Sequence, residues 1–203
     1  MLLRVGLTGG LASGKGVAAR EFERLGCHLI EADKLGHRVL LRNEHIAYDA
    51  VVAEFGREIV DPASGEIDRR KLGAIVFADP SRLAALNAIS HPAIEQLANQ
   101  QMVNLRGIVV YEAAILIETG GHRKFDRIVL TACPEEMQIE RAMARDGQSR
   151  EAVVQRMKRQ MPLSEKLRYA DYVIDTSGSI EETLEQTRNV HRSLILYGEI
   201  APL

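Results

Sequence analysis

The sequence predicts an α/β fold: a doubly wound parallel sheet of five strands, carrying two helical insertions. Three observations predict it. Short apolar runs at 2–8, 28–30, 108–111, 128–131 and 172–175 alternate with helix-compatible segments, the pattern of a parallel sheet. A glycine-rich loop joins the first run to the first helical segment, the context of a phosphate-binding turn. Helical spacing then fills the long stretches between the second and third runs and between the fourth and fifth. The core is therefore assigned to 1–33, 105–135 and 170–203, and the insertions to 34–104 and 136–169.

Taken in order, residues 15–25 place Val17, Ala18, Phe22 and Leu25 at helical spacing, and 28–30 ends at the acidic pair Glu31 and Asp33. From 34 to about 104 the pattern is helical, with breaks expected at the 61–65 turn, at Pro80 and at Pro92. Residues 134–146 and 150–160 read as two helices joined at Gly147, and 180–197 as a terminal helix packing on the sheet.

With 203 residues, 46% of them apolar, the chain can bury a sizeable core. A net charge of -2 gives no global signal for nucleic acid or an anionic membrane, so any anion site must be local. Cys27 and Cys133 lack zinc-site spacing and read as reduced core thiols. The apolar N-terminus is broken by glycines and Lys15, and the 108–117 run carries Glu112 and is too short to span a bilayer. A soluble cytoplasmic protein is expected, as a monomer or small homo-oligomer.

Gly9, Gly10, Leu11, Ala12, Ser13, Gly14 and Lys15 supply the G-x-x-x-x-G-K portion of a Walker A loop. Glycines let successive backbone N–H groups turn inward onto phosphate oxygens, the helix start adds its dipole, and Lys15 can bridge β- and γ-phosphates. One position departs from the motif. Gly16 stands where Ser or Thr would place a hydroxyl on Mg²⁺, and Val17 beside it has no ligand atom either, so water must fill that place and weaker metal binding is expected.

Two carboxylates sit at strand ends, where function gathers in such sheets. Asp33 fits a base or orienter for an acceptor hydroxyl, and equally a helix cap. Glu112 closes its strand as a Walker B carboxylate would, holding Mg²⁺ directly or through water, or is simply a satisfied polar strand end. Between residues 141 and 168, eight basic side chains face three acidic ones. Gln138, Arg141 and Arg145 share a helical face, so a lid carrying them could close over ATP, although a charge run is more often a solvated face.

These blocks together resemble the dephospho-CoA kinases of the P-loop nucleoside and nucleotide kinase superfamily. The resemblance runs through Gly6 to Lys15, Ile30-Glu-Ala-Asp33 with His37, Ile67-Asp-Arg69, His91-Pro-Ala-Ile94, Ile115-Leu-Ile-Glu118, Gln160-Met-Pro162 and Ala170-Asp-Tyr-Val-Ile174. It implies ATP-dependent phosphorylation of the ribose 3′-hydroxyl of dephospho-CoA, the last step of coenzyme A synthesis, with Mg²⁺ required. Asp33 and Lys15 would be catalytic, together with Arg141 and Arg145 of the lid. The nucleotide would lie on Gly9 to Val17 and near Thr176, and Asp33, His37, Arg69 and His91 would bind dephospho-CoA in the helical insertion.

This chain departs from the family pattern at Glu31 in the D-A-D block, Glu112-Ala-Ala114 in the Asp-x-Pro block, Thr176 for Asn and Gly16. Gly16 leaves open a weakly active or non-catalytic nucleotide- and CoA-binding protein. A kinase for another small metabolite also stays open, because the loop cannot name its acceptor. Asp33-Lys-Leu-Gly36 matches the short D-x-x-G pattern of GTPase switches, but no N-K-x-D block accompanies it.

Overall fold

The computed structural model describes residues 2–200. Its sheet is formed by β1 (Leu2–Gly9), β2 (His28–Glu31), β3 (Gly107–Glu112), β4 (Arg127–Ala132) and β5 (Tyr172–Asp175). All five are parallel, in the order β2-β3-β1-β4-β5. β1 is central and covered on both faces, which is why its sequence is nearly unbroken apolar rather than alternating.

The register sets the strand ends side by side. Leu7 of β1 and Glu31 of β2 both pair with Glu112, and Gly9 pairs with Thr131 of β4. On one face, α1 (Lys15–Arg24) and α8 (Ile180–Ile200) pack together over Leu3, Val5 and Leu7, burying Ala18, Ala19, Phe22, Val190 and Leu194. Glu21 joins the two helices by accepting from Arg24 and, at 2.8 Å, from Arg188. Those guanidiniums, Arg24 foremost, hold its buried carboxyl down at about 2. Over the other face lie Leu116 and Phe125, so close to Gly6 that a Cβ there would meet Leu116 Cδ2 at 2.5 Å.

The chain divides into two compact units, one of Met1–Glu31 with Leu105–Leu203 and the other of Ala32–Asn104. The second unit consists mainly of helices: α2 (Ala32–Arg38), α3 (Tyr48–Phe55), α4 (Arg69–Ala78) and α5 (Pro80–Met102). Two of its helices, α4 and α5, start on side-chain caps. Asp68 accepts from the Arg70 amide at 2.9 Å, and Asp79 accepts from Ser81 at 2.8 Å just before Pro80 in the first turn.

The break expected at Pro92 is absent, because α5 continues through it. An interior proline costs the helix a hydrogen bond and about 3 kcal/mol. Here α5 packs on α2, α3 and α4 and buries Ser90, Ala93, Leu97, Ala98 and Met102, so tertiary burial outweighs the local rule. A smaller correction falls in the first unit, where α6 (Glu135–Asp146) is followed by α7 (Arg150–Met157), ending three residues short of the expected 160. The turn between α6 and α7 is closed by Gly147 at φ +64°. Among the described residues no helix is long and apolar enough to cross a membrane.

Candidate active site

The loop after β1 is shaped by what it cannot hold. A Cβ on Gly9 would lie 2.2 Å from Thr131 Oγ1, and one on Gly10 would lie 2.3 Å from Gln138 Oε1. Gly14 takes φ +79° and Ala12 φ +53°, left-handed turns that wrap the chain into the start of α1. The first helical hydrogen bonds run from Val17 and Ala18 to Gly14 O at 2.9 and 3.4 Å. The amides of Lys15 and Gly16 therefore precede the ladder and carry the positive end of the helix dipole, the arrangement that binds phosphate.

The loop is braced by the ends of β4 and β5. Ser13 is buried, with its hydroxyl 2.8 Å from that of Thr131, and Thr131 Oγ1 also donates to Thr8 O at 3.3 Å. The Thr176 hydroxyl lies 2.9 Å from Ser13 O and 3.2 Å from Ala132 O, and its own carbonyl accepts from Arg141 Nη2 at 2.8 Å. Thr176, expected beside the nucleotide, thus spends its hydroxyl on the loop. Leu11 and Ala12 pack on Ile139, Ala142 and Val153 of α6 and α7, so the helical segment expected to form a lid shares a small core with the phosphate loop.

Lys15 and Glu112 form an ion pair, Nζ to Oε1 2.5 Å, with both side chains 14% exposed. The carboxylate expected to serve Mg²⁺ is therefore paired with the loop lysine. No group of three or more His, Cys, Asp or Glu that could hold a metal occurs among the described residues. Gly16 adds no ligand atom, yet it has room for one: only Arg20 Nη1, at 3.6 Å, lies near a Cβ built there. Gly16→Ser is expected to lower the Mg²⁺ concentration for half-maximal activity several-fold and to raise stability by about 0.3 kcal/mol through helix propensity. A magnesium titration of the rate and a thermal melt check both.

The basic segment proves largely paired. Arg145 and Arg156 each reach Asp146 at 2.7 Å and hold its carboxyl far below the usual range, Arg145 most strongly. Arg150 pairs with Glu136, and Lys166 with Glu118. Gln138 does not join an exposed stripe with Arg141 and Arg145: it is buried, donating to Cys133 O at 3.0 Å. Arg145 is exposed and Arg141 half-buried.

The remaining expected residues belong to the second unit. Asp33 lies exposed in the first turn of α2, two residues along the chain from Glu31, as a turn residue rather than the cap itself. His37 and Arg69 line a cavity of about 460 Å³ with Lys34, Arg38, Glu66 and Ile67. His91 is absent from its lining; it sits half-buried in α5, and burial pushes its imidazole below the ordinary range.

A family profile described as dephospho-CoA kinase matches residues 3–182, nearly the whole chain. This chain belongs to the dephospho-CoA kinase family. The member from Aquifex aeolicus is 42% identical over 193 residues, covering 94% of this chain and 97% of the relative. That from Geobacter sulfurreducens is 43% identical over 182 residues, covering 88% and 91%. The solved dephospho-CoA kinase from Campylobacter jejuni superposes with a TM-score of 0.72 at 27% identity, over 98% of this chain and 100% of that one.

For a dephospho-CoA kinase, three contacts here have no counterpart in local sequence reasoning: Gln160 Oε1 accepting from the Leu11 amide at 2.9 Å, Lys166 on Glu118, and Thr131 under Ser13. Gln160 and Glu118 did stand in blocks that carry the family resemblance, which marked them without saying what they touch.

Proposed function

We propose that the chain transfers the γ-phosphoryl group of ATP to the ribose 3′-hydroxyl of dephospho-CoA, in the cytoplasm and as a monomer or small homo-oligomer. The observation that carries this is the braced phosphate loop with Lys15 at the start of α1, in a chain of the dephospho-CoA kinase family.

In the proposed step Asp33 accepts the 3′-hydroxyl proton as the hydroxyl oxygen bonds to the γ-phosphorus and the bond to the β-phosphate oxygen breaks, releasing ADP. The amides at the helix start and the Lys15 ammonium stabilise charge on the β- and γ-phosphates. Arg141, which donates to Thr176 O, and Arg145 would add positive charge over the nucleotide. The segment from Thr176 onward borders the adenine. Glu112, beside Lys15, would hold Mg²⁺ directly or through water, and the metal would supply charge neutralisation at the transferred group. The lysine, histidine and arginine side chains around the cavity of the second unit suit the anionic groups of dephospho-CoA, which His37 and Arg69 in its lining would bind, with His91 of α5 assigned to the same substrate.

Offering dephospho-CoA and its 3′-deoxy analogue tests this assignment. Product one phosphate heavier is expected from the first alone, and phosphorylation of the deoxy analogue would place the reaction at another oxygen.

A further inference from the structure

Lys166 is a lysine with no exposed surface. Its ammonium sits 2.8 Å from Glu118 Oε1 and donates to Ala114 O at 2.9 Å. The same Glu118 oxygen accepts from the Met161 amide at 3.0 Å, while Glu118 Oε2 is buried without a hydrogen bond. Burying two charges and leaving one oxygen unsatisfied is a costly way to stabilise a fold, since apolar side chains of the same volume do so as well or better. What the pair does fix is position.

Met161 adjoins Gln160, whose Oε1 accepts from Leu11 N at 2.9 Å. Ala114 O also receives the Thr8 hydroxyl at 3.4 Å, at the end of β1 from which the phosphate loop departs. The Lys166 ammonium therefore holds the segment beyond α7 to the segment beyond β3, and Gln160 passes that constraint to the shoulder of the loop. The shoulder needs it: Ala12, next to Leu11, is a non-glycine residue at φ +53°. Leu11 N is not one of the helix-start amides of Lys15 and Gly16, so Gln160 steadies the loop without occupying the donors suited to phosphate.

We propose that Lys166 and Glu118 are positioning residues for nucleotide binding: their buried pair sets Gln160 on the Leu11 amide and so pre-forms the phosphate loop. This rests on the loop being the seat of the ATP phosphates.

Calorimetry of ATP binding with Mg²⁺, on folded full-length variants, tests it. Gln160→Ala is expected to weaken ATP about tenfold, the scale of one lost positioning hydrogen bond. Glu118→Leu with Lys166→Met removes both charges together, leaving neither stranded, and is expected to weaken ATP by a similar factor. All three changes combined should cost little more than either set, because they cut one chain of contacts, whereas independent effects would multiply to about a hundredfold. ATP affinity unchanged or tighter in Gln160→Ala overturns the proposal whatever the other variants do. So does a lower melting temperature with full affinity in the charge-free pair, or a hundredfold loss in the combination. Lys15→Ala is the control: if it leaves ATP affinity intact, the phosphate loop itself has been misassigned, a failure distinct from that of the positioning chain.

Discussion

Asp33→Asn is expected to lower kcat with dephospho-CoA by about 10²- to 10⁴-fold, the range of a lost general base. The amide keeps the size of the side chain and its place in the first turn of α2, but it cannot take the hydroxyl proton. Asp33 is exposed, and a carboxylate in a first helical turn contributes only about 0.3–1 kcal/mol through the helix dipole. The melting temperature should therefore hardly move, and KM for both substrates should stay within a few-fold. Steady-state kinetics and a melt on the same preparation check the pair of outcomes. An unchanged kcat would remove Asp33 from the chemistry and leave it as a helix-start residue.

Lys15→Ala is the second large effect. The ammonium lies at the start of α1 with Glu112 as its present partner, 2.5 Å away. Its proposed work is on charge that grows at the β- and γ-phosphates as transfer proceeds, and loss of such a donor costs about 10²–10³ in rate. Here kcat and ATP affinity should fall together, because the ground state already carries phosphate charge. The variant also leaves Glu112 without its cation beside the loop, so the loss should exceed that of Glu112→Gln measured in parallel. A Lys15→Ala enzyme with wild-type ATP affinity and wild-type kcat/KM would mean that the phosphate loop has been misassigned.

Much of the fold was legible because its signals are local. The five strands and the glycine loop each depend on residues a few positions apart. Pro92 was misread for the same reason: a local breaking rule was applied to a helix held by packing on three others. In the site, Gly9 to Lys15 could be found from spacing. What braces them could not, since Thr131 is 118 residues from Ser13, Thr176 is 163 away from it, and Gln160 is 149 from Leu11. The charge run at 141–168 counted cations without their partners. Asp146, Glu136 and Glu118 engage four of them, and Lys166 turns inward altogether.

The most direct test is a coupled assay of ADP release by the wild-type protein, with ATP and Mg²⁺ present, run with and without dephospho-CoA. A phosphate loop serving transfer to that acceptor predicts ADP release that depends on dephospho-CoA, matched mole for mole by coenzyme A. ADP appearing at the same rate without the acceptor, or none with it, would contradict it.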